Sequence, residues 1–173
     1  MSDVLALELP SAVTTFDPES LYREHRQGLF SLALTVTRDP ERAEDAVHEA
    51  FVRLVERGVP EGADPAAYAF GAVRNAAVDQ LRRRRPSAGP ASLYAVEEDG
   101  PDRGVIADEE DRRLAAAVEA LPDEEREVVV LYVHGSLGFA QVAEVVGASL
   151  STVHGRYRRA LERLRRELGE ESA

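Results

Sequence analysis

The chain has 173 residues, of which 44% are hydrophobic and 31% charged, and its formal net charge is −11. This composition is typical of a folded globular protein and excludes a chain that is disordered throughout. The absence of cysteine excludes disulfides and thiolate metal sites. The sequence has no apolar run long enough to cross a membrane and no signal-peptide pattern, so we expect a cytoplasmic protein without membrane insertion.

The N-terminal part predicts a loosely ordered tail over residues 1–16, followed by three helices. Each helix begins at an Asp-Pro pair, at Asp17, Asp39 and Asp64. An aspartate at the N-cap accepts backbone N–H bonds, and a proline at the first helical position loses no donor that the helix needs. The predicted helices span about 18–37, 40–57 and 65–84. Each has one apolar face, so residues 17–85 are expected to form a small helical bundle.

A change in composition at residues 86–106 predicts a flexible acidic linker. This stretch is rich in proline, glycine and acidic residues, and it cannot bury enough apolar surface to fold alone. The linker follows a four-arginine run at 82–85, where the arginines can offset the helix dipole or hold phosphates. We therefore predict an all-α protein of two small helical bundles, the second over residues 107–173.

The second bundle is predicted to contain a helix-turn-helix. Two helices are expected over about 107–120 and 122–134, and Gly135 ends the second. An apolar stripe then follows helical spacing at Phe139, Val142, Ala143 and Val146. Gly147 can adopt the left-handed conformation that closes a helix.

The final helix restarts at Ser149, whose hydroxyl can accept a bond from the backbone N–H of Ser151 or Thr152. It leaves arginine outside: residues 150–168 hold six arginines and two glutamates in an acidic protein. A helix fits the major groove, and guanidinium groups suit guanine and phosphate oxygens. A solvated arginine face on a core helix is the structural alternative.

These segments together resemble a known family. LYREHRQGLFSLALTVTRDPERAEDAVHEAFVRL, AYAFGAVRNAAVDQLRRRR, LPDEEREVVVLY and GFAQVAEVVGASLSTVHGRYRRAL follow one another in the order found in extracytoplasmic-function sigma factors. The resemblance covers nearly all of the chain except the first sixteen residues and the linker. It implies a bacterial initiation factor that binds core RNA polymerase and directs promoter recognition and DNA opening.

The resemblance implies a polymerase-binding face on the second helix. In the family an acidic helix docks on the polymerase clamp, and the matching positions here are Asp45, His48 and Glu49, with His48 where glutamine is usual. The structural alternative is an ordinary solvated face.

The third helix resembles the element that opens and captures the minus-ten promoter box. Tyr68 stands where the family usually has tryptophan, and an exposed aromatic can stack on a flipped base while arginine holds the displaced strand. Tyr68 and Phe70 can equally belong to the core. The residues implied at this surface are Tyr68, Phe70, Arg74, Asn75, Arg82 and Arg83.

The last helix resembles the one that recognises the minus-thirty-five box. His154 replaces the usual lysine or arginine, and Gly155 replaces the usual serine, so sequence preference is expected to depart from that of the family. Arg156 and Arg159 are expected to matter most. The residues implied at this surface are Ser151, Thr152, His154, Gly155, Arg156, Arg158 and Arg159.

The implied partners are core RNA polymerase and promoter DNA, and an anti-sigma factor is a further candidate partner. No cofactor, metal or small-molecule substrate is expected. An enzyme is disfavoured because His48-Glu49 lacks a second histidine at position 52, which is valine, and no phosphate-binding glycine loop is present. The main alternative is a stand-alone helix-turn-helix transcriptional regulator whose N-terminal bundle senses or binds a partner.

Overall fold

The computed structural model describes residues 16–83 and 109–169, and within them the regular secondary structure is all α-helical. The predicted tail and linker lie outside these residues. The helices are α1 (Pro18–Thr37), α2 (Pro40–Arg57), α3 (Pro65–Arg82), α4 (Glu109–Glu119), α5 (Asp123–Val133), α6 (Phe139–Val146) and α7 (Leu150–Gly169). The predicted all-α fold with a helix-turn-helix is confirmed.

The first three helices begin at the predicted aspartate caps. The Asp17 carboxylate accepts a bond from the Glu19 backbone N–H, and Asp39 and Asp64 cap α2 and α3 in the same way. A proline follows each cap, where no N–H is needed. These local signals fix the starts of α1, α2 and α3, which pack on one another and are called the N-terminal group below.

The turn between α6 and α7 also forms as the sequence predicts. Gly147 closes α6 with a φ of 64°, in the left-handed region. Ser149 Oγ accepts a bond of 3.1 Å from the Thr152 backbone N–H and so caps α7. Helices α4 to α7 are called the C-terminal group.

The C-terminal group has a small core of its own where α4, α5 and α7 meet. Its buried residues are Ala117, Val118, Leu121, Val129, Ala160 and Leu164. The remaining buried hydrophobic residues of α5, α6 and α7 belong to a second, larger core.

That larger core extends across both groups. Val128 and Leu131 of α5 and Val142 of α6 are buried in one cluster with Leu32 and Phe70 of the N-terminal group. Helix α1 packs against α5, and α3 packs against α6. The two bundles predicted from the sequence therefore lie against each other, while the independent folding of each bundle stays a prediction.

The contact between the groups explains a second buried face on α1. The sequence predicts one apolar face, yet Ser31, Leu34 and Thr35 are also buried. Thr35 satisfies its hydroxyl by donating to the Ser31 carbonyl at 2.8 Å. Helix α1 is enclosed because α2 and α3 cover one side of it and α5 covers another.

Candidate nucleic-acid and protein-binding surfaces

The start of α7 presents a polar, solvent-exposed face. Ser151, Thr152 and His154 are exposed, and Gly155 beside them is partly exposed. The Ser149 hydroxyl lies 3.0 Å from Ser151 Oγ and 2.8 Å from Thr152 Oγ1, so a hydroxyl cluster surrounds the helix N-terminus. Backbone N–H groups and hydroxyls at such an end suit phosphate oxygens and base edges.

Acidic residues on α5 hold three of the α7 arginines in place. Glu124 pairs with Arg156 at 2.8 Å, and Glu125 pairs with Arg159 at 3.1 Å and with Arg163 at 2.9 Å. Glu125 is 5% exposed, so its carboxylate is a fixed anchor beneath the helix. The sequence alone does not indicate these roles of Glu124 and Glu125, because a pairing across two helices leaves no spacing signal within either one.

The predicted minus-thirty-five residues therefore fall into two classes. The Arg156 side chain is only 16% exposed, whereas the Arg158 side chain is 78% exposed and, among the residues that the structure describes, lies 3.8 Å from the Glu162 carboxylate. Arg159 is half exposed although it pairs with Glu125. Ion pairing orders Arg156 and Arg159, while Arg158 extends into solvent.

The predicted minus-ten residues on α3 are dispersed around the contact with the C-terminal group. Tyr68 and Asn75 line a cleft of about 370 Å³, together with Arg53 and Arg57 of α2. Glu144 of α6 forms part of the opposite wall. This cleft brings cationic, aromatic and amide side chains together, and its remaining wall comes from the other group of helices.

Phe70 requires a correction to the predicted minus-ten set. Its ring is 0% exposed, makes an edge-on contact with His25 at 5.7 Å between centroids, and lies beneath Gly135. A fully buried ring has no free face on which a base could stack. Phe70 is therefore a core residue in this conformation, which is the structural alternative noted for it.

Arg74 is paired across the two groups of helices. Its Nη2 donates to Glu127 Oε2 at 3.3 Å and its Nε makes a closer bond to Glu127 Oε1. The Glu127 side chain is 10% exposed and that of Arg74 is 28% exposed. A largely desolvated, two-pronged ion pair thus joins α3 to α5.

The end of α3 carries Arg82 and Arg83, both exposed. Arg82 lies 3.9 Å from Asp79, and Arg83 lies 3.7 Å from Glu49. Such loose pairs in water contribute little to stability, so both guanidinium groups stay available to phosphates. Arg84 and Arg85 of the predicted run lie outside the described residues.

The predicted polymerase-binding face divides in a similar way. Asp45 and His48 are exposed on α2. Glu49 is three-quarters buried and accepts bonds from Arg53 and from Gln80 on α3, the second at 3.5 Å. Glu49 therefore ties α2 to α3, and the accessible part of the face is Asp45 with His48.

Asp123 joins the two groups of helices at the far end of α1. Burial alone would raise its pKa, but hydrogen bonds from Arg126 and Arg38 hold that pKa below the ordinary value. The Arg38 bond is 2.9 Å long and comes from the C-cap of α1. Arg126 is buried, which lowers the pKa of its guanidinium, and it donates to the Glu119 carbonyl at 2.6 Å.

Two kinds of feature are absent from residues 16–83 and 109–169. No helix in those ranges is both long and apolar enough to cross a membrane. The same residues contain no group of three histidine or carboxylate side chains that could hold a metal ion.

Two known sequence families match the chain. Sigma-70 region 2 matches residues 21–87, and Sigma-70 region 4 matches residues 111–164. The ECF RNA polymerase sigma factor SigK of Mycolicibacterium vanbaalenii is 28% identical over 160 residues, which cover 87% of this chain and 81% of SigK. The probable ECF sigma factor SigI of Mycobacterium tuberculosis is 32% identical over 89% of this chain and 55% of SigI.

Solved structures share the fold. The sigma factor RpoE from Bartonella quintana, in complex with the anti-sigma factor NepR, superposes with a TM-score of 0.67 at 18% identity, over 87% of this chain and 96% of RpoE. CnrH in complex with the cytosolic domain of CnrY gives a TM-score of 0.61 at 23% identity, over 88% of each chain.

Proposed function

The chain belongs to the extracytoplasmic-function sigma factors, which act in transcription initiation, and we propose that it recognises a promoter through α3 and α7 while it is docked on core RNA polymerase. Helix α7 contacts the minus-thirty-five box, and α3 captures the opened minus-ten strand. The Asp45 and His48 face of α2 binds the polymerase. The chain acts as a non-enzymatic factor in the cytoplasm.

The observation that carries this proposal is the exposed start of α7. Its hydroxyl cluster and His154 face solvent, and Arg159 lies half exposed one turn further on. Residues at the N-terminal end of a recognition helix are those that reach base edges in the major groove. The buried carboxylate of Glu125 orients Arg159, which reduces the entropy lost when that arginine binds DNA.

The charge distribution supports dependence on the polymerase. A net charge of −11 repels DNA at long range, so the arginine surfaces act only when they are held against it. Binding both groups of helices to one scaffold raises the effective concentration of each at its promoter box. The stand-alone regulator is not favoured, because both sigma regions match the chain.

The proposed partners are core RNA polymerase, promoter DNA and an anti-sigma factor. The anti-sigma factor is proposed because the chain is similar to RpoE and CnrH. Their structures were solved in complex with NepR and with the cytosolic domain of CnrY, respectively. Neither a membrane-inserted segment nor a small-molecule substrate is part of this proposal.

Transcription with purified core polymerase tests the function. The wild-type chain is expected to produce a specific transcript only with core enzyme. A variant with Asp45→Arg and His48→Ala is expected to bind core at least about tenfold more weakly, since opposed like charges cost several kcal/mol at an interface. Both residues are exposed, so Glu49 and its bonds remain in place.

Glu110→Arg is the matched control, because it reverses an exposed charge on α4, away from the proposed face. Tight, sequence-specific binding of the free chain to duplex promoter DNA, with no core-dependent transcript, would instead establish the stand-alone regulator.

A further inference from the structure

Aromatic side chains from α5, α6 and α7 meet in the C-terminal group and are called the aromatic cluster below. Tyr132, near the end of α5, stacks on Phe139 at the start of α6, with 4.6 Å between the ring centroids and 11° between the ring planes. Tyr157 of α7 lies 5.0 Å from Tyr132 and 5.2 Å from Phe139. The remaining member of the cluster is the imidazole of His154. Stacked and edge-on contacts at these distances stabilise aromatic pairs beyond the apolar area that they bury.

Phe139 has a fixed place in the aromatic cluster. It is the first residue of α6, and Gly138, the N-cap before it, donates its backbone N–H to Gln141 Oε1 at 2.8 Å. The Phe139 ring is partly buried and packs, with that of Tyr157, against the larger hydrophobic core. A ring that is held by a capped helix end, by the core and by aromatic neighbours has little freedom to turn. Phe139 can therefore act as a rigid surface for a more exposed side chain.

His154 is the more exposed side chain that contacts this surface. Its ring meets the Phe139 ring edge-on, with 4.6 Å between the centroids and 87° between the planes. His154 and Tyr157 are three residues apart, so they lie on the same side of α7. His154 is solvent-exposed, as are Ser151 and Thr152 before it. The imidazole thus touches the aromatic cluster and still faces the solvent at the start of α7.

The ring contact orders His154 as ion pairs order its neighbours on α7. Arg156 and Arg159 are held by carboxylates of α5, at 2.8 Å and 3.1 Å. His154 is held instead by a ring of α6. An imidazole is a short, planar group that can both donate and accept a hydrogen bond, whereas a lysine in the same place would be a point charge on a flexible stem. A restrained imidazole is therefore suited to one directed hydrogen bond.

We propose that Phe139 is a positioning residue for base recognition: it holds the His154 imidazole in one orientation, in which His154 recognises the edge of a single base pair. A ring nitrogen of His154 makes a hydrogen bond in the major groove, where each base pair has its own pattern of donors and acceptors. Tyr132 and Tyr157 keep the Phe139 ring in place. The inference rests on the proposed role of α7 in recognising the minus-thirty-five box.

The expected consequence is that the aromatic cluster contributes more to sequence preference than to overall affinity. A permanently charged side chain attracts the phosphates of any sequence, whereas a directed hydrogen bond distinguishes one base edge from another. Restraint of the imidazole before binding reduces the entropy that it loses on the DNA. Loss of the Phe139 ring should therefore weaken the preference at one base pair and leave binding to random DNA nearly unchanged.

The test measures base preference at each position of the minus-thirty-five region. The probe is a promoter from which the wild-type chain initiates with core RNA polymerase, randomised over that region. The full-length chain with core polymerase binds this library, and the bound fraction is sequenced. His154→Ala identifies the base pair that depends on the imidazole. Phe139→Leu removes the ring but keeps an apolar side chain, and Phe139→Tyr keeps the ring.

Phe139→Leu is expected to lower the preference at the base pair that His154→Ala identifies, and only there, by at least about threefold. Phe139→Tyr should match the wild type. The double variant should lose no more preference than His154→Ala alone, because the ring acts through the imidazole.

Phe51→Leu is the matched control. Phe51 is partly buried, as Phe139 is, and its ring meets that of Tyr22 edge-on at 5.1 Å in the N-terminal group. Its replacement removes an aromatic contact of the same kind away from α7, so base preference in the minus-thirty-five region should not change.

Unchanged preference in Phe139→Leu at the identified base pair would overturn the inference. So would a loss spread over the whole minus-thirty-five region, because a general disturbance of α6 and α7 has that effect. If Phe139→Leu fails to fold, Tyr132→Leu replaces it, since Tyr132 is more exposed and stacks on Phe139. Tyr132→Leu should lower the preference at the same base pair, and an unchanged preference there would likewise overturn the inference.

Arg159→Ala separates failure of the inference from failure of the proposed function. If Arg159→Ala weakens promoter binding while His154→Ala changes no base preference, the inference is wrong and α7 remains the recognition helix. If neither variant changes base preference or affinity, the proposed role of α7 fails together with the inference.

Discussion

The two helices assigned to promoter DNA, α3 and α7, differ in the source of the carboxylates that pair with their arginines. On α7, Arg156 and Arg159 pair with Glu124 and Glu125 of α5 within the same group of helices. On α3, Arg74 pairs with Glu127, which also lies on α5 but belongs to the other group. One acidic helix therefore orients the arginines of one proposed DNA-binding surface and covers an arginine of the other.

The two surfaces are therefore not equally accessible in this one conformation of the chain. The exposed hydroxyls and His154 at the start of α7 need no rearrangement to meet DNA. Arg74 becomes available only when α5 moves away from α3, because its two prongs are already occupied. Whether each arginine is accessible to DNA therefore depends on the packing between the two groups of helices as well as on the side chain itself.

The largest expected effect comes from breaking the contact between the two groups of helices at Gly28. Gly28→Ala should destabilise the chain by about 1 to 3 kcal/mol, because the added methyl meets backbone atoms and overpacks the contact. Gly71→Ala on α3 is the matched control, since its Cβ would meet nothing within 4 Å. It should stabilise the helix by up to about 1 kcal/mol. Urea unfolding measures both, and a gain in stability for Gly28→Ala would contradict the steric account.

A similar effect is expected on the open surface. Arg159→Ala should weaken binding to a duplex minus-thirty-five site by about 1 to 3 kcal/mol and relax sequence preference if Arg159 contacts a base. Arg156→Ala is expected to act in the same direction. Arg165→Ala removes an exposed arginine further along α7 and is the control for charge alone. Equal losses on specific and random duplexes would show that Arg159 contacts phosphate, and unchanged binding would contradict the recognition-helix assignment.

Two substitutions at the N-cap of α7 distinguish an effect on stability from an effect on DNA binding. Ser149→Ala removes the bond to the Thr152 backbone N–H and should cost about 1 kcal/mol of stability. Ser149→Asp keeps a cap acceptor and should retain stability, but its charge lies at the face that meets phosphates. We expect duplex binding to fall for Ser149→Asp while its thermal unfolding stays near wild type. If the Ser149→Asp variant kept the DNA affinity of the wild type, the DNA would have to bind at a different face of the chain.

The smallest expected effect is a pH dependence at the contact between the two groups of helices. Burial lowers the pKa of His134 from its ordinary value of 6.5. The unfolded chain therefore binds a proton on this side chain before the folded chain does, and stability falls as pH drops below 6.5 towards the folded pKa. His134→Gln should flatten this part of the profile between about pH 8 and pH 5, measured by urea unfolding. Parallel profiles for the two chains would contradict the burial effect.

Much of the fold could be predicted because its signals are local. The aspartate caps at Asp17, Asp39 and Asp64, the left-handed Gly147 and the Ser149 cap each act within a few residues, and all formed as expected. Helical periodicity then places the apolar stripes within each bundle.

The remainder depends on contacts between distant segments. Nothing in the spacing around Gly28 indicates a carbonyl from residue 134 above it, and Arg74 has the same local pattern whether or not Glu127 covers it. The family resemblance implies a place for Phe70 at the minus-ten surface, yet its ring is buried and lies against Gly135 from the other group. Pairing across the two groups is decided by tertiary packing, which one-dimensional periodicity does not encode.

Because Glu127 of α5 is bonded to Arg74, we expect the proposed DNA-binding side of α3 to become accessible when core polymerase separates the two groups of helices. The most direct measurement is energy transfer between dyes on cysteines introduced at the exposed positions Glu56 and Arg166, before and after core RNA polymerase is added. We expect a single population with high transfer efficiency in the free chain and a shift to low efficiency when the chain binds the polymerase. Unchanged high efficiency in a complex that initiates transcription would contradict it.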